Sequence, residues 1–570
     1  MFRIILAVLC AIIGLAAAAL AVSAVTVVGA DDVTEAETFT VADGAYAVVL
    51  DEQLVPFSGT TASITADGDE ELFIGTASGV DVENYLTGVA HETITRVDFP
   101  GVPEHRLVPG EPHPVTAAPT RDWWTASDSG ATVTHRFDLD AEPQVVVVAP
   151  ADPEGTLDGV RVTLAMDAHG VFGFSFLGFA LAVAALGLAA FLLLRWWNSR
   201  LRPPPKFPRG KRTGRRANGT TDRAARTAGS PRRTRAGVAD RSRGGVLGRR
   251  SGVLAGASAM ALALSGCTAL PIAQPATVEL TPYERPALRD GDAGRFMTDY
   301  TESLDAALDG ELETLDLIQT GPLLDRTRAE VLIARADEQT LSAVNFTEVV
   351  AGGPMFSEYP MWFIGFGDPG EGDSVQAMLV TRESASQEWK VAQSLFVPRD
   401  AVPTLLAAGD GAVPVAPDAH QDVAAAAATQ LDGFLETGEL PESPVELTYP
   451  TEAFSGFREY VDQFTDGDNA FEDVTVTCEP YTDAPLSEYA LETEVGAVSF
   501  GEARCTIALS VPEDFSIDMG TAVEAVMTSE GEGNAVQIEA SVPYMLTSAG
   551  AENTVYGSDW FLLSSQTTEE

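Results

Sequence analysis

Leu264-Ser265-Gly266-Cys267 is the run of this chain whose residue types and order prescribe a reaction. A cysteine thiol accepts a diacylglyceryl group as a thioether. A peptidase working inside a bilayer needs small residues beside the bond it cuts, and Ser265 and Gly266 stand immediately before Cys267. Two other cysteines suit different chemistry. Val474, Val476 and Cys478 alternate along one face of an expected strand, as do Cys505, Ile507 and Leu509. In an oxidising compartment Cys478 and Cys505 can form a disulfide. Closing a loop of that length stabilises by roughly 3–4 kcal/mol. The alternative is two separate core thiols. Cys10, within an apolar run, reads as a small buried hydrophobe.

Other reactive types do not assemble into a motif. The six histidines (His91, His105, His113, His135, His169 and His420) lack metal-ligand spacing, although His105 and His113 share a Pro-rich loop. The acidic runs Asp67 to Glu71 and Thr465 to Asn469 do not follow the Ca²⁺-loop pattern and read as solvated turns. The sequence has no phosphate-binding Gly loop, dinucleotide fingerprint, nucleophile elbow or Ser-x-x-Lys. With 83 Asp and Glu, any two carboxylates could be offered as an acid and a base, so no pair is informative. No catalytic residue, metal site or cofactor is assigned.

The elements around Cys267 explain its tetrapeptide. Arg249-Arg250 precede an apolar run, Val253 to Gly266, and a Pro/Thr-rich tether follows from Thr268 to Pro286. Positive flank, short apolar run, small residues and cysteine together resemble a bacterial lipobox. Its position deep inside the chain is unusual and leaves two readings open. The chain is cut before Cys267 to release a diacylated C-terminal part, or the segment (251–267) stays as a short third span.

Two further apolar runs and one basic tract set the topology. Residues 1–30 carry one charge, Arg3, and form a signal anchor or a signal peptide cut near Val28-Gly29-Ala30. Residues 171–194 are uncharged and long enough to span a ~30 Å hydrocarbon layer, with Trp196 and Trp197 suited to the interfacial belt. Residues 195–250 hold eighteen Arg or Lys against two acids, with Pro, Gly and Ser and few apolar residues. This reads as a disordered cytoplasmic loop. The net charge of -48 therefore hides an acidic remainder near -64. Such a body repels nucleic acid, and the Arg tract lacks interleaved aromatics, so membrane lipid is the expected partner there.

Residues 31–170 read as an extracytoplasmic, all-β, sandwich-like domain of short β-branched strands separated by Gly, Asp and Pro, with one short helix at Asp81 to Leu86. Leu72-Phe73-Ile74-Gly75, Asp81-Val82 with Tyr85-Leu86, Trp123-Trp124, Ser127, Ser129-Gly130 and Val145 to Val148 resemble the extracytoplasmic domain of uncharacterised actinobacterial membrane proteins over about a hundred residues. Where that family shows an Asn-Ala-Asp-Gly turn, this chain has Ala149-Pro150-Ala151-Asp152. The resemblance implies a location and no activity.

After the tether (268–290), two α+β repeats are expected at 291–400 and 415–570, each with helices before an antiparallel sheet. Phe296, Tyr300, Leu304, Ala307 and Leu308 keep one face of the first helix apolar. Glu388-Trp389-Lys390-Val391-Ala392 and Asp559-Trp560-Phe561-Leu562-Leu563 take corresponding terminal-strand places. The order resembles nuclear-transport-factor-2-like or cystatin-like cone domains, and the segment with its lipobox resembles actinobacterial lipoproteins carrying an uncharacterised domain. Trp362, Phe363, Phe366, Trp389 and Phe396 are candidates to line a cone pocket or to fill a core.

These readings imply a multidomain, membrane-anchored, non-enzymatic cell-envelope protein. Residues 31–170 and 268–570 lie outside, where they bind a protein, lipid or wall partner. The alternative is a membrane-tethered enzyme with a pocket in a cone-like domain. A fusion of two separately encoded parts would predict contact between the β domain and the C-terminal body.

Overall fold

The computed structural model describes residues 2–28, 32–201, 272–273 and 280–568, apart from positions 56, 98, 100, 140–143, 168–170, 311, 371, 409–410, 444, 450, 466–470, 513–516, 530–532, 551 and 558. The tetrapeptide Leu264 to Cys267, its apolar run and the Arg-rich tract from 202 to 250 lie outside the described residues.

Uninterrupted Leu, Ile, Val and Ala give α1 (Phe2–Val28). The second apolar run gives a helix, which we call α3 (Val171–Leu201). It continues past Leu194 through Trp196-Trp197, because nothing in Arg195 to Leu201 breaks a helix. Each helix holds a stretch long and apolar enough to cross a membrane, Ile4–Thr26 and Phe172–Asn198. The two pack as an antiparallel pair through small residues. A Cβ on Gly14 would lie 2.8 Å from Leu186 Cγ, and one on Gly178 3.3 Å from Ala21 Cβ. Ala7, Ala21, Ala182 and Ala189 are buried between them, while Ile5, Leu15, Leu20, Phe176 and Val183 face outward.

Between these helices the chain forms one nine-stranded sheet. Its strands are β1 (Val33–Glu35), β2 (Phe39–Thr40), β3 (Ala47–Asp51), β4 (Thr61–Ala77), β5 (His91–Arg96), β6 (Glu104–Val108), β7 (Ala126–Asp138), β8 (Val145–Pro150) and β9 (Arg161–Asp167). The order is β1-β9-β4-β8-β3-β5-β6, with β2 on β9 and β7 on β4. Where a sandwich-like domain was expected, the strands are hydrogen-bonded into this one sheet. Asp67 to Glu71, expected as a solvated turn, lies inside the single 17-residue β4. Its register shifts between Asp67 and Leu72, a bulge that bends the strand without ending it. Alternation then serves both faces. Ile64, Leu72, Ile74, Val146 and Val148 fill one core, and Phe73, Val145, Val147 and Ala149 the other. The short helix α2 (Gly79–Tyr85) lies on the second face. Strand β1 pairs β9, Val33 opposite Asp167, so the residues leading from α1 and into α3 are neighbours.

The C-terminal body repeats one order twice. Helices α4 (Asp292–Asp309) and α5 (Gly321–Ala336) precede a four-stranded antiparallel meander. That sheet comprises β10 (Glu348–Gly352), β11 (Met361–Asp368), β12 (Ser374–Arg382) and β13 (Lys390–Pro398). Helices α6 (Ala419–Thr437) and α7 (Thr451–Thr465) precede a seven-stranded sheet. Its long members are β14 (Asp473–Pro480), β15 (Gly496–Ser510), β16 (Ala535–Ala549) and β17 (Phe561–Thr568). The two sheets pack face to face through Trp362, Ile364, Phe366 and Leu379 on one side and Val498, Phe500 and Met545 on the other. Met297 and Tyr300 of α4 cover the outer face of the first sheet. Leu431, Leu435, Phe454 and Phe457 of α6 and α7 cover the outer face of the second.

Candidate functional site

The described residue types converge where the β domain meets the C-terminal body. Ser78 caps α2 by accepting from Val80 N. That sets Asp81 in its first turn, where a carboxylate favours the helix dipole. Asp81 is 0 % exposed, and among the described residues its carboxylate finds its partners in the other half of the chain. Arg285 NH2 lies 2.9 Å from Asp81 Oδ1, and Tyr359 Oη donates to the same oxygen at 2.6 Å. Burial opposes charge on Arg285, but the Asp81 carboxylate overrides it and holds the guanidinium above its ordinary value. Burial also pushes the Asp81 carboxyl up, against the pull of Arg285.

One turn further along α2, Asn84 Oδ1 accepts from Ala385 N at 2.8 Å. Trp123 closes the other side of the Ser384 to Gln387 turn, donating Nε1–H to Ala385 O at 2.9 Å. Its neighbours add charge-assisted bonds. Arg121 reaches Ser386 O at 3.1 Å and Glu388 at 3.0 Å. Asp122 pairs with Arg382 at 2.8 Å, and Arg289 donates to Trp123 O at 2.8 Å. Arg382 is 1 % exposed and is also held by Gln387 O. Ala385, Tyr283 and Tyr359 join Phe73, Val82, Tyr85 and Trp123 in one apolar cluster. The segment entering the body docks on the same domain. Gln53 exchanges two hydrogen bonds with the Thr281 backbone, and Tyr283 Oη donates to Asp51 Oδ1 at 2.7 Å. Gly79 has to be glycine for this approach, since a Cβ there would fall 2.1 Å from Tyr283.

Sequence reasoning singled out Asp81, Tyr85, Trp123 and Trp124 for a resemblance and gave them no contact. The available signal was a Trp-Trp pair and an acid in the first turn of the one short helix expected in a β domain. The site residues proposed from sequence fall elsewhere. Cys478 and Cys505 stand opposite each other on β14 and β15 and are joined by a disulfide. Leu264, Ser265, Gly266 and Cys267 lie outside the described residues.

The histidines have separate neighbours. His105 bonds to Glu92, and His113 lies edge-on to the Tyr46 ring. His135 sits between Thr76 and Asp128. His420 contacts Ser499 and Ser548 at 2.8 and 3.1 Å; burial lowers its pKa to about 4, which keeps it neutral inside the core. Among the described residues no three His, Cys, Asp or Glu side chains are grouped to hold a metal.

Trp362, Phe363 and Phe366 are buried core, whereas Phe396 is 39 % exposed. Phe396 lines a cavity of about 470 Å³ with Leu304, Leu323, Arg326, Glu330 and Phe561. Arg326 is buried there, with NH1 bonded to Gln393 Oε1 at 3.3 Å and NH2 to Ser394 O. Burial lowers its affinity for its proton and pushes the Glu330 carboxyl up. A second cavity of about 610 Å³ lies beside the junction, lined by Asp122, Phe296, Tyr300, Glu388 and Trp389 among others.

No curated protein and no solved structure matches the chain. Residues 284–546 match the family described as a domain of unknown function, DUF8094. That match runs across both α+β units, in keeping with the core their two sheets share.

Proposed function

We propose that this is a membrane-anchored, non-enzymatic cell-envelope protein that presents its acidic domains outside the plasma membrane to bind a protein, lipid or wall partner. The observation that carries this reading is the α1–α3 pair. Its outward faces are apolar along their length, and both helices join the β domain at one end, through neighbouring β1 and β9. At ~1.5 Å per residue, α3 reaches roughly 46 Å, so Phe2 and Leu201 end on the far side of a bilayer from the domain.

The body docks on that domain, so the chain between 201 and 280 has to return. Val253 to Gly266 is its apolar run, about 21 Å as a helix and short of a ~30 Å span. A lipoprotein signal resolves the mismatch. The Cys267 thiol takes a diacylglyceryl group from a membrane phospholipid, whose glycerophosphate leaves with the thiol proton. Water then hydrolyses the Gly266–Cys267 bond, leaving a Gly266 carboxylate and a Cys267 amine. Two acyl chains anchor firmly where one is marginal. The resemblance to actinobacterial membrane proteins and lipoproteins supports the same placement.

Single cysteines at positions 220 and 400, probed in intact cells with a membrane-impermeant thiol reagent, test the topology. Labelling is expected at 400 only; labelling at 220, or none at 400 until cells are lysed, rejects it.

The cavity around Arg326 and Glu330 favours a second reading, a membrane-tethered enzyme, because a partly buried carboxyl with a raised pKa beside a fixed cation can move a proton. Native mass spectrometry of protein purified from membranes tests it: a bound small molecule lost in Arg326→Gln supports this reading, and an empty cavity counts against it.

A further inference from the structure

The junction joins residues 51–144 to residues 281–388, and its chemistry is that of a protein–protein interface. At its centre lie a buried aromatic anchor, Trp123, and a buried ion pair, Asp81–Arg285. Arg121 with Glu388, and Asp122 with Arg382, ring them. The charges are complementary. Residues 280–568 hold only eleven Arg and Lys, and three of them, Arg285, Arg289 and Arg382, lie on this patch. Opposite them the β domain places Asp81, Asp122 and the Trp123 carbonyl. Such an arrangement fixes register and rejects other partners. Seventy-eight residues separate Leu201 from Leu280, and a connection of that length contributes an effective concentration of at most about millimolar order.

We propose that the membrane-borne β domain is a receptor for the C-terminal body and holds it as a separate chain, so that the protein remains one assembly when the polypeptide is cut between them. The partner is defined by this surface. It offers a small residue on a tight turn, with its backbone N–H and carbonyl presented to Asn84 and Trp123, and flanking guanidinium groups for Asp81 and Asp122. The β domain of another chain with the same α2 and Trp123 surface would take such a body encoded as a distinct polypeptide. If the chain is cut before Cys267, a step that rests on the lipoprotein reading above, the product is a two-chain complex with one chain spanning the membrane and the other lipid-anchored.

The test uses the full chain in detergent, with a protease site inserted between residues 202 and 250 and a tag at the N-terminus. After complete cutting, the body is expected to co-elute with the tagged fragment. A body that elutes alone overturns the proposal. Ala385→Arg places a charged side chain on the turn between Asn84 and Trp123. It is expected to move the body to the free fraction after cutting, an at least tenfold weakening, while the uncut variant keeps its disulfide and the far-ultraviolet circular dichroism of the parent. If cut Ala385→Arg stays bound, the surface is not the one that holds the halves, and the proposal fails. Should Ala385→Arg misfold, Trp123→Ala gives the same reading from the other side. The outcome in detergent is independent of sidedness, so failure here and failure of the cysteine-labelling test are separate results.

Discussion

Replacing Asp81 by Ala deprives the buried Arg285 of its carboxylate and leaves the Tyr359 hydroxyl without its acceptor. Breaking a buried pair from one side costs about 3–5 kcal/mol. Chemical denaturation followed by tryptophan fluorescence is expected to show a loss of that order for Asp81→Ala, and a small change for Asp67→Ala, whose partner Arg161 is exposed. A second residue sets a pH dependence. Burial, then the charges of Glu436 and Glu479, push Asp432 up to about 7. The folded chain therefore keeps a proton that the unfolded chain releases near pH 4. That contribution is full below pH 4 and is lost as pH rises through 7. Asp432→Asn is expected to be more stable than the parent at pH 8, by about 2–4 kcal/mol, and close to it at pH 4. Thermal melts of parent and variant across that range check this by difference, since Glu52, also raised to about 7 by burial, and the raised Asp81 and Glu330 add slope of the same sign to both, and the lowered His420 slope of the opposite sign. None of this was legible in the sequence, where 83 acids look alike. What distinguishes Asp81 and Asp432 is the surface that covers them, and that surface comes from distant parts of the chain.

At the scale of elements, alternation and apolar length carried most of the information. Val474, Val476 and Cys478 share a face with Cys505, Ile507 and Leu509 because β14 and β15 pair in the register that sets the two cysteines opposite each other. Replacing both by Ser is expected to cost roughly 3–4 kcal/mol through the freed 27-residue loop; denaturant unfolding of the double variant, compared with the oxidised parent, measures it. The helix order and the strand-rich runs of the body were legible for the same reason. The continuity of β4 was not: Asp67 to Glu71 has the composition of a turn, yet it forms a bulge because β7 and β9 pair the strand before it and β7 and β8 the strand after it. The α1–α3 contact was also hidden, since small residues in an apolar run do not announce which face they hold. Gly14→Val is expected to force these helices apart, given the 2.8 Å approach to Leu186. Disulfide trapping between cysteines placed at Ala7 and Ala189, faster in the parent than in the variant, would show it.

For the whole molecule, the predictions concern its integrity as one or two polypeptides. In the lipoprotein reading, Cys267→Ala blocks acylation and cutting together. A C-terminal tag is then expected on a full-length band in place of a shorter one, as seen on a denaturing gel of native membranes, and an unchanged band pattern rejects the processing. The two attachments of the β domain have a mechanical consequence. β1 and β9 are hydrogen-bonded neighbours, and Phe172 N donates to Asp32 Oδ1 at 2.6 Å, close to where α1 ends and α3 begins. A head mounted on a single stalk can swivel about it, but one mounted on two adjoining struts cannot turn without twisting the pair. The docked body is thereby steered to a fixed compass bearing relative to the helices, and a torque applied to it would be felt at the opposite end of both.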